Sequence, residues 1–167
     1  MARRKKVVSY RRDIGVDERF QSPLIQKLIN VVMWRGKKNV ARAIVYDAID
    51  ILIKKSGNSE EKGLQLFQKG IDQIIPLIEV RPRRVGGSVY QIPMEVESNR
   101  ALSLGMRWLI QAASARSDRS MDARTAMGVK LANELFEAGE GRGGAFKKKL
   151  DVHKMAEANR AFSHFAW

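Results

Sequence analysis

Two helix-length segments separated by almost nothing constrain this chain most. In "SPLIQKLINVVMWRG", Ser22 stands as an N-cap, Pro23 takes the first helical position, where its missing N–H costs nothing, and Gly36 falls just past the end. Leu24, Leu28, Ile29 and Val32 recur along it as an apolar stripe. In "NVARAIVYDAIDILIKKSG", Val40, Ile44, Ala48, Ile51 and Leu52 recur at helical spacing, Lys54 and Lys55 sit where the helix dipole favours cations, and Gly57 stops the segment. The link Gly36 to Asn39 is short enough to make the two helices antiparallel neighbours. Such a pair must bury its stripes against further elements, and the rest of the chain supplies them.

Asn58 with Glu61 resembles a capping arrangement for a third helix that ends near Pro76. Ser98 opens a fourth, which buries Ala101, Leu102, Trp108, Leu109 and Ala112 and turns Arg100, Ser103, Arg107, Gln111 and Ser114 the other way. A fifth runs from about Ser120 to Ala138 and a sixth from about Gly144 to the end. On that last helix Lys149, His153, Glu157, Arg160 and His164 form a polar, mostly basic stripe, with Met155, Ala158, Phe162 and Phe165 opposite as its core stripe.

The exception to this helical pattern is "VRPRRVGGSVYQIPMEVE", Val80 to Glu97. With Gly86 and Gly87 as the central residues of a tight turn, Val85 faces Ser88, Arg83 faces Tyr90, Pro82 faces Gln91 and Val80 faces Pro93. Both prolines then fall on non-hydrogen-bonded pairs, where a missing N–H leaves the ladder intact. One face carries Arg81, Arg83, Tyr90, Ile92 and Met94, the other Pro82, Arg84, Val89, Gln91 and Pro93. Neither is wholly apolar, so the ribbon is not expected to be a core strand pair. A lone hairpin is marginal in water and needs support. Arg81, Arg83 and Arg84 with Tyr90 offer phosphate contacts and a stacking surface; the bland alternative is a ribbon folded back on the body with its arginines solvated. The expected fold is mainly α: a six-helix body with a protruding two-stranded β-hairpin at about 78–97, in one helical domain over 21–167, preceded by a basic N-terminal arm over 1–20. No repeat or low-complexity linker suggests a second domain.

The charge points to a polyanionic partner. Lys and Arg number 31 against 18 Asp and Glu, a net +13 over 167 residues. Six of the first twelve residues are Arg or Lys, an arm that settles against phosphates unless it is merely a solubilising tail. No run approaches the roughly 18 apolar residues of a spanning helix, which favours nucleic acid over membrane. The chain has no cysteine, which removes disulfides, thiolate nucleophiles and zinc fingers together and fits a reducing compartment. No apolar region follows the basic start, so it does not read as a secretory signal.

Two motifs and a reaction class can be set aside. "GEGRGG" matches G-x-G-x-x-G but follows a helix instead of a strand, leaving a helix end and loop. His153 and His164 lie roughly 16 Å apart along a helix at ~1.5 Å per residue, too far to share an ion. No phosphate loop, nucleophile elbow or paired acid and base appears, so neither catalysis nor a cofactor is expected.

"RRVGGSVYQIPMEV" from Arg83, "GKK" at Gly36, "KLANEL" at Lys130 and "HKMAEANRAFSHF" at His153 closely resemble bacterial ribosomal protein seven of the small subunit, in the family's order from about Ser22 onward. The resemblance implies binding to the 3′ major domain of small-subunit (16S-type) rRNA, early organisation of head assembly, and a hairpin near the exit-site tRNA and mRNA path. It also implies contact with small-subunit ribosomal proteins eleven and nine, binding to its own messenger in some bacteria, and a cytoplasmic bacterial ribosome in preference to an organellar one. Carried over by position, the RNA-facing set is Arg3, Arg4, Lys5 and Lys6 of the arm, Lys37 and Lys38, Arg81, Arg83, Arg84 and Tyr90 of the ribbon, Arg100, Arg107, Arg116, Lys147, Lys148, Lys149, Asn159 and Arg160, with Trp108 on the buried stripe. Pro82 and Ala166 depart from the family's pattern, and Ser114 to Val129 is longer than it, which predicts a remodelled junction between the fourth and fifth helices. The competing readings are an architectural DNA-binding protein using the ribbon as a minor-groove arm, though its Gly86-Gly87 tip lacks a wedge, and a helical partner-binding module with incidental charge.

Overall fold

The computed structural model describes residues 13–117 and 123–165. They form helices α1 (Pro23–Val32), α2 (Lys38–Lys55) and α3 (Glu60–Ile74), an antiparallel hairpin of β1 (Ile78–Val85) and β2 (Ser88–Glu95), helices α4 (Ser98–Ala115), α5 (Ala123–Gly139) and α6 (Gly144–Ala158), and a 3-10 helix (Arg160–Phe165). The fold class is the expected one, a helical body with one hairpin.

Helix α5 packs against α2, α3, α4 and α6. Leu131 and Leu135 of α5 meet Val45, Ile49 and Leu52 of α2, Ile71 and Ile74 of α3, and Met106 and Leu109 of α4 in one continuous apolar cluster, closed by Leu28 and Ile29 of α1. Each such side chain, fully buried, contributes roughly 1.5–3 kcal/mol. Close approach is needed where α3 crosses its neighbours, and glycine provides it: a Cβ on Gly70 would stand 2.6 Å from the Leu135 carbonyl oxygen.

Local signals hold where chemistry is specific and slip where only periodicity speaks. Ser22 caps α1, its hydroxyl accepting from the Ile25 N–H. The helix ends at Val32, short of Gly36: Met33 leaves the helical conformation at ψ 129°, and the chain then turns through left-handed Arg35 and Gly36 at φ 51° and 76°. The α2 stripe is corrected in phase: Ala41, Val45, Ala48, Ile49 and Leu52 are buried and Val40 is exposed. Ala48 and Leu52 of the expected stripe hold, while Ala41, Val45 and Ile49 are buried in place of Val40, Ile44 and Ile51. The cap of α3 is Ser59, without a side-chain hydrogen bond, while Asn58 is left-handed at φ 62°. Helix α4 opens on Ser98 as expected, with Glu97 before it as a cap residue that makes no side-chain hydrogen bond. The last helix does not reach the end of the chain. It stops at Ala158, its buried residues are Ala145, Val152 and Ala156, and Met155 and Ala158 are exposed.

Residues 13–20, the described part of the expected arm, are tied to α2. Asp17, 1% exposed, accepts N–H bonds from Arg19, Phe20 and Ser22 and the hydroxyl of Tyr46. Arg19 pairs in bidentate fashion with Asp50, at 3.0 and 2.6 Å.

Candidate nucleic-acid interface

The hairpin has the expected register throughout, Val85 opposite Ser88, Arg83 opposite Tyr90, Pro82 opposite Gln91 and Val80 opposite Pro93. Gly86 and Gly87 both have positive φ, 56° and 90°, the conformation a two-residue turn demands. Alternation from that turn puts both prolines on non-hydrogen-bonded pairs.

The ribbon is not a core strand pair as a whole, but its base is embedded in the body. Ile92 is fully buried, and β1 and β2 pack on α6 while β2 also meets the 3-10 helix. The Tyr90 ring lies 4.9 Å from that of Phe162 and 6.3 Å from that of Phe165. Glu79, 7% exposed, is the polar tie: Arg100 of α4 donates to both its oxygens at 3.0 Å, and Arg81 donates from the same strand face. Burial pushes the Glu79 carboxyl up, and hydrogen bonds and charge from Arg100 and Arg81 more than reverse it, leaving it below the ordinary glutamate range. The hairpin is thus clamped at its root, and Arg84, Gly86, Gly87, Ser88 and Val89 at its far end are exposed.

The expected RNA-facing residues divide by what already holds them. Arg3, Arg4, Lys5 and Lys6 lie outside the described residues, as does Ala166. Arg81 and Arg100 share Glu79, and Arg116 binds Glu134 at 2.8 Å and also Glu137. Lys149 donates to the Gln73 carbonyl at 2.8 Å near the end of α3, and burial lowers its pKa. Asn159 donates to the Met155 carbonyl at 2.7 Å, and Arg83 and Tyr90 are half-buried. Lys37, Lys38, Arg84, Arg107, Lys147, Lys148 and Arg160 are exposed, and Trp108 packs against the core. Lys37 and Lys38 begin α2 with no side-chain cap and no acidic residue in its first turn. Cations at the positive end of a helix are mutually unfavourable until an anion joins them.

Sequence reasoning passed over Glu79 and Glu134, the two buried carboxylates that organise these arginines. A signal existed for both. Glu79 is two residues from Arg81 on one strand face, and Glu134 falls on the Leu131, Leu135, Ala138 face of α5.

Where α6 meets the start of the hairpin, the His153 Nε2 accepts the Leu77 N–H at 3.3 Å. Burial, then the charge of Lys149, lowers the His153 pKa. The fold therefore holds the neutral ring, and its contribution is complete above the unfolded value near ~6.5 and is lost as pH falls through that value toward the lower folded one. Urea midpoints measured at pH about 7.5 and 5.5 are expected to fall more for the wild type than for His153→Gln, which keeps an acceptor but does not titrate. Equal declines would show that the ring does not couple to folding.

Among the described residues no group of three or more His, Cys, Asp or Glu could hold a metal ion, and no helix is long and apolar enough to cross a membrane. What the arrangement offers is fixed positive charge on a rigid frame. The sequence matches the family Ribosomal protein S7p/S5e over residues 2–160, which carries the likeness well upstream of Ser22. The small ribosomal subunit protein uS7 of Blochmanniella floridana is 46% identical over 167 residues, 100% of both chains. Its namesake in Nautilia profundicola is 50% identical over 157 residues, 94% of this chain and 96% of that one. The one in Thermoanaerobacter sp. (strain X514) is 48% identical over 157 residues, 94% of this chain and 95% of that one.

Proposed function

The chain belongs to the ribosomal protein S7p/S5e family, structural and non-enzymatic components of the small ribosomal subunit that associate with its rRNA, and from that membership we propose that it binds the 3′ major domain of small-subunit rRNA and helps organise assembly of the head. The hairpin then reaches toward the exit-site tRNA and mRNA path, ribosomal proteins eleven and nine are neighbours, its own messenger is a second RNA target, and the site of action is the cytoplasmic bacterial ribosome.

The observation that carries this reading is the hairpin clamped at its root by Glu79, Arg81 and Arg100 and exposed at its tip. A ribbon anchored this way holds its far arginines at a fixed place relative to Lys37 and Lys38 on α2 and to Lys147 and Lys148 on α6. RNA segments that meet these groups are fixed relative to one another, which is how a protein without chemistry of its own directs RNA folding. Capture is electrostatic, with shape and phosphate contacts outweighing base readout.

Competition binding tests it: the full chain, a 3′ major domain rRNA fragment and an equal charge of duplex DNA, titrated over salt. Binding to the rRNA that survives moderate salt and excess DNA is the expected result. Equal affinities that collapse together would leave only nonspecific polyanion capture and bring back the DNA-binding reading. In the same assay Arg83→Ala combined with Arg84→Ala is expected to flatten the salt slope by roughly one unit for each phosphate no longer neutralised, with helix content unchanged. An unaltered slope would remove the tip from RNA capture.

A further inference from the structure

The turn between α1 and α2 carries a group that phosphate capture does not use. Trp34 is 74% exposed, more than any other large apolar side chain among the described residues. Met33 and Val40, on either side of it in sequence, are exposed as well. The backbone here is built, not slack: Arg35 and Gly36 are both left-handed, and the Lys37 N–H donates to the Trp34 carbonyl at 3.1 Å. Arg35 adopts a conformation that residues other than glycine seldom take, and the Lys38 N–H donating to the Gly36 carbonyl at 2.8 Å closes the turn beside it.

The charge around the indole selects what can cover it. From Phe20 to Tyr46 the chain has no Asp or Glu; of its charged residues Lys27 donates to the Asn99 carbonyl and Arg42 pairs with Glu18, while Arg35, Lys37 and Lys38 lie beside the indole in sequence. A protein partner would have to bring carboxylates to an apolar contact. An unpaired nucleotide brings a flat π-face and its phosphates together. Tryptophan in a basic setting is a stacking platform for such a base, and stacking of this kind accepts any base.

We propose that Trp34 stacks on one unpaired nucleobase of the bound RNA, while Arg35, Lys37 and Lys38 take the phosphates beside it. This rests on the RNA-binding reading above and adds to it a base contact made through shape instead of hydrogen bonds. Trp34 does not anchor the core, so its replacements leave the helical body intact.

The test uses the full chain and the same rRNA fragment. Trp34→Ala and Trp34→Leu should each weaken binding about tenfold with an unchanged salt slope, and Trp34→Phe should retain most of the affinity. Lys37→Ala with Lys38→Ala should instead flatten the slope. Chemical probing of base accessibility on the fragment should show one unpaired base protected by the wild type and re-exposed by Trp34→Leu. Wild-type affinity in Trp34→Leu would mean an apolar contact without stacking and would overturn the proposal, as would wild-type affinity in Trp34→Ala, which would place the indole outside the interface or against a protein. If the wild type itself fails to prefer this rRNA, the failure lies with the RNA-binding reading and the stacking contact falls with it.

Discussion

Glu134→Ala is expected to lower the unfolding free energy by about 3 kcal/mol or more, toward the lower end of the ~3–5 kcal/mol for breaking a buried ion pair from one side. Three elements meet at this carboxylate. Its residue is 1% exposed on α5; one oxygen accepts Arg116 Nε from the end of α4 at 2.8 Å, and the other accepts the Ala145 N–H in the first turn of α6 at 2.8 Å. The cap residue Gly143 has φ 93° and supplies no side chain, so Glu134 does for α6 what an N-cap would do from within the helix. Alanine leaves a buried N–H without its acceptor and a mostly covered guanidinium without its nearest counter-charge. Because Arg116 keeps Glu137 and some solvent, the loss stays at the low end. For a chain of this size about 3 kcal/mol is roughly 6–12 °C in melting temperature. Glu134→Gln, which retains an acceptor but no charge, should fall between, and Glu137→Ala should cost about 1 kcal/mol or less because that carboxylate is more exposed. If thermal denaturation gives Glu134→Ala and Glu137→Ala the same small shift, the three-way tie is not what joins α4, α5 and α6.

This tie also shows where sequence reasoning stops. The hairpin was legible to the residue because three independent signals, a Gly-Gly turn and two prolines at matching offsets, agree on one register. Helix α2 was legible as a helix but not in phase, since Val40, Ala41, Ile44, Val45, Ala48, Ile49, Ile51 and Leu52 offer apolar residues over much of its circumference and only packing selects among them. The end of α6 at Ala158 has no glycine or proline to mark it. The candidate site was legible as a set of cations and not as an arrangement. Arg100 and Glu79 are 21 residues apart, as are Arg116 and Glu137, and nothing local announces either pair. A reading by charge alone therefore counts arginines that serve as internal ties together with lysines that face outward. It also passes over Trp34, whose exposure depends on where α1 stops.

Gly70→Ala is expected to destabilise the body by about 2 kcal/mol, and Gly105→Ala to stabilise it by up to ~1 kcal/mol, although both place alanine on a buried helical glycine. The local term is the same for the two: alanine is favoured over glycine inside a helix by about 1 kcal/mol. Space decides the sign. At Gly105 on α4 the nearest atoms to a new Cβ are those of Ile74 at 3.5 Å, ordinary van der Waals contact, so the propensity gain is kept. At Gly70 on α3 the new Cβ would meet the Leu135 carbonyl oxygen at 2.6 Å and its carbon at 3.3 Å, backbone atoms that cannot rotate away. Helices α3 and α5 would have to separate by several tenths of an ångström, loosening the contacts of Phe67, Ile71 and Leu135 in the cluster that every other helix shares. Overpacking of this kind costs roughly 1–3 kcal/mol and here takes the upper end, against which the propensity gain offsets about 1. Urea denaturation of the two variants side by side reads the contrast directly, and shifts of the same sign would show that helix propensity, not the closeness of the α3–α5 crossing, governs both positions.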